Sequence, residues 1–184
     1  MNKVLIVLFS ISLGLGNLLN HQISFDESNI AEMKESTGDD IILGPFQKED
    51  LMKKPYSKWF QPRYEKFKPN EEAMATIAEN IKDYEIRLFM GTWCADSKRE
   101  VPKFLKILDL ANYDHKKLEL IGVDYDKTTK SGIEKEFDIE YVPTIIFYKD
   151  GEEVNRFVEY PQESLEEDIA KIVSGEVYNN SYTN

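Results

Sequence analysis

The order of the apolar segments after residue 70 constrains the fold more than any other feature of the sequence. Short apolar runs that are typical of buried strands occupy residues 86–90, 118–123, 144–148 and 154–158. Segments with helical spacing of apolar residues occupy 95–110, 128–137 and 164–173. The resulting order, βαβαββα, predicts an α/β protein in which parallel strands and an antiparallel hairpin share one central mixed sheet with helices on both faces.

Local signals support these boundaries. Asn70 is a favourable helix N-cap, and Glu71 and Glu72 in the following turn complement the helix dipole, so a further helix precedes the first strand. Lys149-Asp150-Gly151 separates the last two strands and is typical of a tight hairpin turn. The acidic residues 166–168 fall in the first turns of the closing helix, where we expect a solvated face.

Composition excludes several classes of protein. The 23 basic and 34 acidic residues give a formal net charge of −11, and with no basic block this is unfavourable for binding nucleic acid or an anionic membrane. The chain has a single cysteine and two histidines, which permit neither an internal disulfide nor a dense zinc cluster. We therefore expect no metal and no cofactor.

The N-terminus resembles a targeting segment. Lys3 provides a positive charge, and residues 4–15 form an almost unbroken apolar run that is short for a membrane span but fits a signal peptide. Residues 1–19 are therefore predicted to be a signal peptide, with cleavage after Gly16, or an uncleaved N-terminal anchor. Both alternatives place the remainder outside the cytoplasm, in the periplasm or cell envelope.

The rest of the chain divides by composition. Residues 20–40 are polar and acidic and are predicted to be a linker. Residues 41–69 are rich in aromatic residues and interrupted by prolines; we expect a short strand at 41–43 and short helices packed on the main domain, or alternatively a partner-binding surface. The main domain is predicted over 70–174, followed by a polar tail, 175–184, that is expected to fray.

Cys94 lies where the first strand of the main domain passes into a helix. Backbone N–H groups at a helix N-terminus favour a thiolate, and Lys98 and Arg99 add positive charge while Asp96 opposes them. These three residues are predicted to tune the pKa of the thiol, which in free cysteine is about 8.5. A cysteine used only as a small buried residue is the alternative.

The motifs around Cys94 resemble those of the thioredoxin superfamily. In chain order the matching motifs are Trp93-Cys94, Pro102, Val142-Pro143-Thr144 and Lys149-Asp150-Gly151. The block GTWCADSKREVP is similar to a group of exported bacterial thioredoxin-like proteins. The resemblance covers about residues 70–174 and implies a thioredoxin-like fold.

The resemblance also implies a substrate groove. The Val142–Pro143 bond is expected to be cis, with the proline facing the thiol and the Val142 backbone turned toward an extended substrate chain. Trp93 and Thr144 complete the expected lining of the groove.

Two departures from the family pattern bear on activity. Ser97 stands where the family has its second cysteine, so Cys94 would form a mixed disulfide without resolving it alone, while Ser97 is expected to donate a hydrogen bond to the thiolate. Leu88 stands where many thioredoxins carry a buried aspartate, and Leu120 or Ile121 lies near the position of its lysine partner. The usual proton relay is therefore absent.

These features predict an exported monothiol protein that exchanges or isomerises disulfides through Cys94, with Ser97 in support. Its partners would be a protein thiol or disulfide, or a low-molecular-weight thiol, and contact with a membrane would occur only through the N-terminal segment. Two alternatives remain open: a redox-inactive binding module on the same fold, and a redox sensor that uses its one cysteine.

Overall fold

The computed structural model describes residues 41–183. The predicted signal peptide or anchor and the linker lie outside the described residues. The five strands are β1 (Gly44–Phe46), β2 (Glu85–Met90), β3 (Leu118–Gly122), β4 (Thr144–Lys149) and β5 (Glu152–Val158). The five α-helices are α1 (Lys48–Leu51), α2 (Ser57–Lys66), α3 (Glu71–Asn80), α4 (Ala95–Leu110) and α5 (Leu165–Ser174).

The strands form one mixed sheet in the order β1-β3-β2-β4-β5. The central pair β2 and β3 is parallel, whereas the three other pairs are antiparallel. The β4–β5 hairpin turns through Asp150 and Gly151, both with positive φ, as the sequence motif predicts. The fold class predicted from the sequence is therefore confirmed.

Two apolar clusters lie on opposite faces of the sheet. Alternate residues of β2, Ile86 and Leu88 among them, point into the larger cluster, where α2, α3, α4 and α5 supply the facing side chains. Phe89 points to the other face and packs with Ile121 and Ile146 from the neighbouring strands. Cys94 belongs to this second cluster.

The segment over the second face differs from the prediction of an α-helix at 128–137. The structure has turns followed by a short 3-10 helix, Ile133–Phe137. Gly132 precedes it with φ +73°, and Thr129 bonds the Glu134 carboxylate through both its N–H and its hydroxyl, so local side-chain bonds and a left-handed glycine replace the first helical turns.

The aromatic extension also differs in its strand. The predicted strand at 41–43 is displaced to β1, which pairs antiparallel with β3 at the sheet edge, where Pro45 is tolerated because an edge strand has unpaired N–H positions. The two short helices α1 and α2 follow, and Phe60 of α2 is buried in the larger cluster. Pro62, expected to interrupt helical structure, lies inside α2.

A carboxylate at the end of α4 holds this extension. Asp109 accepts hydrogen bonds from Lys48 of α1 and Tyr64 of α2, and it also contacts His115 at 2.9 Å. Burial alone would raise the pKa of Asp109, but the bonds and charge of its partners outweigh burial and lower the pKa.

The C-terminal tail, which the sequence predicts to fray, contacts the domain in the structure as far as Tyr182. Tyr178 is only 7% exposed, and its hydroxyl donates a hydrogen bond of 3.2 Å to Asp168. Asp168 and Glu166 were expected on a solvated face but are buried. Asp168 accepts hydrogen bonds from the backbone N–H groups of residues 162 and 163. Glu166 accepts one from the Asn70 N–H, so both carboxylates have partners inside the fold. Burial is the main cause that raises the pKa of Asp168.

Within residues 41–183 no helix has the length and apolar character needed to cross a bilayer.

Candidate functional site

Cys94 is the N-cap of α4, at the end of the sheet where β2 leaves the core. Its backbone N–H bonds the Gly91 carbonyl at 3.0 Å, closing a tight turn, and its own carbonyl accepts the Lys98 N–H at 3.0 Å as the first bond of the helix. The thiol therefore sits at the positive end of a helix of 16 residues, as the sequence predicts.

Trp93 lies against the loop that precedes Cys94. The indole N–H donates a hydrogen bond of 3.1 Å to the Val123 carbonyl, and its ring lies 5.0 Å from that of Tyr125. A Cβ at Gly91 would stand 2.5 Å from the indole, closer than carbon atoms approach one another. A residue without a side chain at 91 is thus required for Trp93 to occupy this place.

The thiol faces the proline-containing segment. Cys94 Sγ donates a hydrogen bond of 3.2 Å to the Val142 carbonyl oxygen, and the Val142–Pro143 bond is cis, as predicted. Cys94 is 9% exposed. Cys94 is thus mostly buried, and its side chain belongs to the second apolar cluster.

The Pro143 segment is held in place from two sides. Thr144 donates its hydroxyl to the Tyr141 carbonyl at 2.7 Å, bridging the proline. The Glu159 N–H donates a bond of 2.7 Å to the Pro143 carbonyl. Trp93, Val142, Pro143 and Thr144 are therefore brought to one end of the sheet beside Cys94.

Ser97 has a role different from the one expected. Its side chain is fully buried, and its Oγ accepts the Gly91 N–H at 3.2 Å rather than bonding to the Cys94 sulfur. Ser97 therefore ties the first turn of α4 to the end of β2 and positions the turn that carries Cys94.

The charges expected to act on the thiol are partly engaged elsewhere. Arg99 pairs with Asp96 at 2.6 Å and with Glu100 at 2.5 Å. Burial alone would lower the pKa of Arg99, but the bonds and charges of these two carboxylates together outweigh burial and raise it. Lys103 is the second partner of the buried Glu100. Lys98 is the one residue of the expected trio without such a pair among the described residues.

Leu88 and its neighbour Leu120 lie in the apolar core. Leu88 is fully buried and stands opposite Leu120 on the neighbouring strand, where the two side chains enter the larger apolar cluster. Among the described residues no group of three histidine, cysteine, aspartate or glutamate side chains could hold a metal ion.

Several residues near the site escaped the sequence reasoning. The Tyr125 ring lies tilted by 32° against that of Trp93, and Tyr182 from the tail stacks on Tyr141 with ring centroids 3.8 Å apart. Glu159 has a positive φ of 63° in the bend that holds Pro143. The position of Tyr141 next to the Val142–Pro143 motif was a usable signal, whereas nothing in the local sequence indicates the return of the tail.

A mixed sheet, a cysteine at a helix N-cap and a facing proline segment define a thioredoxin-like class of protein. The thioredoxin family model matches residues 69–171, and the chain belongs to that family. Membership indicates a thiol–disulfide redox function.

Curated relatives show the same similarity. The chain is 28% identical to thioredoxin of Gallus gallus over 111 residues, covering 54% of this chain and 100% of that protein. It is 32% identical to thioredoxin of Staphylococcus saprophyticus over 84 residues, 45% of this chain and 76% of that protein. A TPR repeat-containing thioredoxin of Arabidopsis thaliana is 29% identical over 100 residues, 54% of this chain but only 25% of that longer protein.

The solved structures that align with this chain share less sequence identity with it than the relatives above. A protein of unknown function from Pseudomonas aeruginosa aligns with TM-score 0.48 and 15% identity, covering 65% of this chain and 81% of that one. Thioredoxin O2 of Arabidopsis thaliana in the oxidised state aligns with TM-score 0.34 and 19% identity, covering 49% and 74% of the two chains.

Proposed function

We propose that this protein is an exported monothiol thioredoxin that forms and reshuffles disulfides through Cys94. The observation that carries the proposal is the position of the Cys94 sulfur, at the N-cap of α4 and 3.2 Å from the Val142 carbonyl. A thiol in that position meets a substrate chain lying along Trp93 and Pro143.

The reaction begins when the Cys94 thiolate attacks one sulfur of a substrate disulfide. A new bond joins Cys94 to that sulfur, the substrate S–S bond breaks, and the displaced sulfur leaves as a thiolate that takes a proton from water. No electrons enter or leave the pair of reactants, because one disulfide is exchanged for another.

Resolution of this mixed disulfide needs a second thiol. The chain has one cysteine, and Ser97 occupies the position from which a second thiol would attack. A substrate thiol or a low-molecular-weight thiol therefore displaces Cys94. When the second thiol belongs to the substrate itself, the product is an isomerised disulfide and Cys94 is regenerated, so isomerisation is favoured over net reduction.

The apolar pair Leu88 and Leu120 supports the same assignment. A buried acid near the active-site cysteines would assist proton transfer during resolution by a second thiol of the same chain. Leu88, which stands where many thioredoxins carry that acid, is apolar and lies opposite Leu120 in the larger cluster. A protein that never resolves its own mixed disulfide has no use for such an acid.

Export is part of the proposal and rests on Lys3 and the apolar run 4–15. Mass spectrometry of the protein from its native cell should give an N-terminus after residue 16 if the segment is cleaved, and an intact chain in the membrane fraction if it is an anchor. An intact chain in the soluble cytoplasmic fraction would contradict export.

The function is tested with a protein substrate that carries scrambled, non-native disulfides in a glutathione buffer. The wild-type chain should accelerate recovery of the native substrate, and Cys94→Ser should not. Equal acceleration by both would assign the binding-module function instead. A wild type that fails to accelerate recovery but forms a stable sulfenic acid with dilute peroxide would assign redox sensing.

A further inference from the structure

Two exposed tyrosines, Tyr160 and Tyr182, and the half-buried Tyr141 form a surface beside Pro143, which we call the tyrosine wall. The Tyr182 ring stacks on Tyr141 at 3.8 Å and meets the edge of Tyr160 at 6.2 Å. Sequence separation makes this cluster unexpected, because its members come from the proline loop, from the bend after β5 and from the C-terminal tail.

The tail brings Tyr182 to this position through a fixed path. Its buried anchor is Tyr178, whose carbonyl accepts the Asn155 side-chain N–H at 3.1 Å. Further along, the Ser181 hydroxyl donates a bond of 2.6 Å to the Tyr160 carbonyl, and Gln162 donates one of 3.1 Å to the Ser181 oxygen. The wall is therefore an organised surface of this chain.

The wall is continuous with the proposed substrate groove. Tyr141 immediately precedes Val142, whose carbonyl accepts the Cys94 thiol. Glu159, which precedes Tyr160, donates its N–H to the Pro143 carbonyl and accepts the Tyr182 hydroxyl on its carboxylate. A substrate chain paired beside Val142 would extend over these rings.

The exposure of its rings favours a binding function for the tyrosine wall. Tyr160 is 44% exposed and Tyr182 is 39% exposed, whereas the anchor Tyr178 is 7% exposed. Grouped exposed aromatic rings leave apolar area in water and are typical of binding surfaces. Tyrosine in particular supplies rigid contact area with little loss of side-chain freedom.

The carboxylates beside the tyrosine wall favour a positively charged partner. Glu159 forms no ion pair with any lysine or arginine among residues 41–183, and the neighbouring Glu140 is exposed and likewise unpaired there. A guanidinium or ammonium group over the tyrosine rings would gain cation–π attraction and would neutralise the Glu159 carboxylate.

We propose that the tyrosine wall binds a polypeptide segment carrying arginine or lysine within a few residues of the cysteine that Cys94 attacks. The inference rests on the proposed exchange at Cys94 and names the substrate class for it. Cationic substrates would complement a chain whose net charge is −11.

The test uses two short peptides, each with one cysteine joined as a mixed disulfide to 5-thio-2-nitrobenzoate. The peptides differ only in carrying arginine or glutamate at the residues that flank the cysteine. Cys94 attacks the peptide sulfur, the peptide–nitrobenzoate S–S bond breaks, and the coloured thiolate leaves, so its absorbance reports the second-order rate. Wild-type protein should react about tenfold faster with the arginine peptide.

Two variants and one control assign the preference to the wall. Glu159→Gln and Tyr182→Ala should each reduce the ratio of the two rates several-fold, and about 1 M salt should reduce it in the wild type because charges are then screened within about 3 Å. Val177→Ala changes a tail residue that is 91% exposed, and it should preserve the ratio.

The outcomes separate this inference from the function on which it rests. If wild type reacts with both peptides at equal rates, or if both wall variants keep the full preference, the substrate assignment is wrong while exchange at Cys94 stands. If neither peptide releases the thiolate, the exchange function itself fails. A faster reaction of Tyr182→Ala with both peptides would show that the tail obstructs the groove, and would overturn the inference.

Discussion

The Cys94 sulfur donates a hydrogen bond of 3.2 Å to the carbonyl of Val142, 48 residues further along the chain. The bond joins the N-cap of α4 to the segment that precedes Pro143, and it must break when the attacking thiolate forms, because a thiolate has no proton to donate. The N-cap of α4 and the segment before Pro143 are therefore the two parts of the chain between which exchange would occur.

Ser97→Cys should convert the protein from a monothiol to a dithiol form. The new thiol would stand one helical turn after Cys94 and could displace a bound substrate, closing an internal disulfide. We expect mixed disulfides with a peptide substrate to persist in wild type and to disappear in Ser97→Cys, as measured by intact mass after acid quenching. Equally persistent adducts in both proteins would contradict the monothiol account.

Ser97→Ala provides the control and makes a prediction about stability. It removes the acceptor of the Gly91 N–H in a fully buried place, and an unsatisfied buried N–H costs about 1–3 kcal/mol. Unfolding in urea should show a loss of that size, while mixed disulfides on Cys94 should still form and persist. A variant as stable as wild type would show that another group satisfies the Gly91 N–H.

Gly91→Ala should displace Trp93. The added Cβ would lie 2.5 Å from the indole, so the ring must move and weaken its bond to the Val123 carbonyl. We expect a loss of about 1–3 kcal/mol in the free energy of unfolding, with a change in tryptophan fluorescence. In a Trp93→Ala background the same substitution should cost much less, and additive effects in this double-mutant cycle would refute the steric explanation.

Asp109→Asn should weaken the attachment of the aromatic extension in a pH-dependent manner. The folded pKa of Asp109 is lowered, so its contribution to stability is present above the unfolded value and is lost as pH falls through the folded pKa. At pH near 7 we expect a loss of about 1–2 kcal/mol, since Lys48 and Tyr64 lose a charged acceptor that is partly exposed.

The measurement for Asp109 is a series of urea unfolding curves of wild type and variant from neutral pH to about pH 3. The difference between the two proteins should shrink at the acidic end, where Asp109 is protonated in both folded and unfolded wild type. A difference that stays constant with pH would reject the role assigned to the carboxylate.

Leu88→Asp should fail to restore a proton relay and should destabilise the domain severely. The site is fully buried among apolar side chains, with Leu120 opposite, so an acid there loses both packing and hydration. We expect a loss of at least about 3 kcal/mol, greater than that of Leu88→Asn, the matched uncharged variant, at neutral pH. Thermal unfolding that shows little loss would mean that water or a counter-charge reaches this part of the core.

Much of the fold follows from the sequence because periodicity and caps act locally. The helix predicted from Ala95 to about Leu110 has the same bounds in the structure, and Asn70 caps α3 through hydrogen bonds to the N–H groups of Glu72 and Ala73. The cis Val142–Pro143 bond was also predicted, from a motif rather than from periodicity.

The predictions that were wrong concern places where apolar spacing does not determine the structure. There, side chains that compete with the backbone locally, or that come from distant parts of the sequence, determine it. Thr129 and Gly132 replace a helix with turns, although apolar spacing favoured the helix. The buried place of Asp168 depends on Tyr178 returning from the tail. Ser97 bonds to Gly91 rather than to Cys94 because the first turn of α4 directs its hydroxyl toward the end of β2.

The central claim is that the folded domain makes Cys94 an exchange nucleophile. The most direct test compares the second-order rate of Cys94 with a small aromatic disulfide in the folded chain and in the same chain unfolded in urea, at equal pH. The account predicts a faster reaction in the folded chain, with the adduct located on Cys94 and stable until a thiol is added. A folded chain that reacts more slowly than the unfolded one would show that Cys94 is a structural thiol, and would contradict the account.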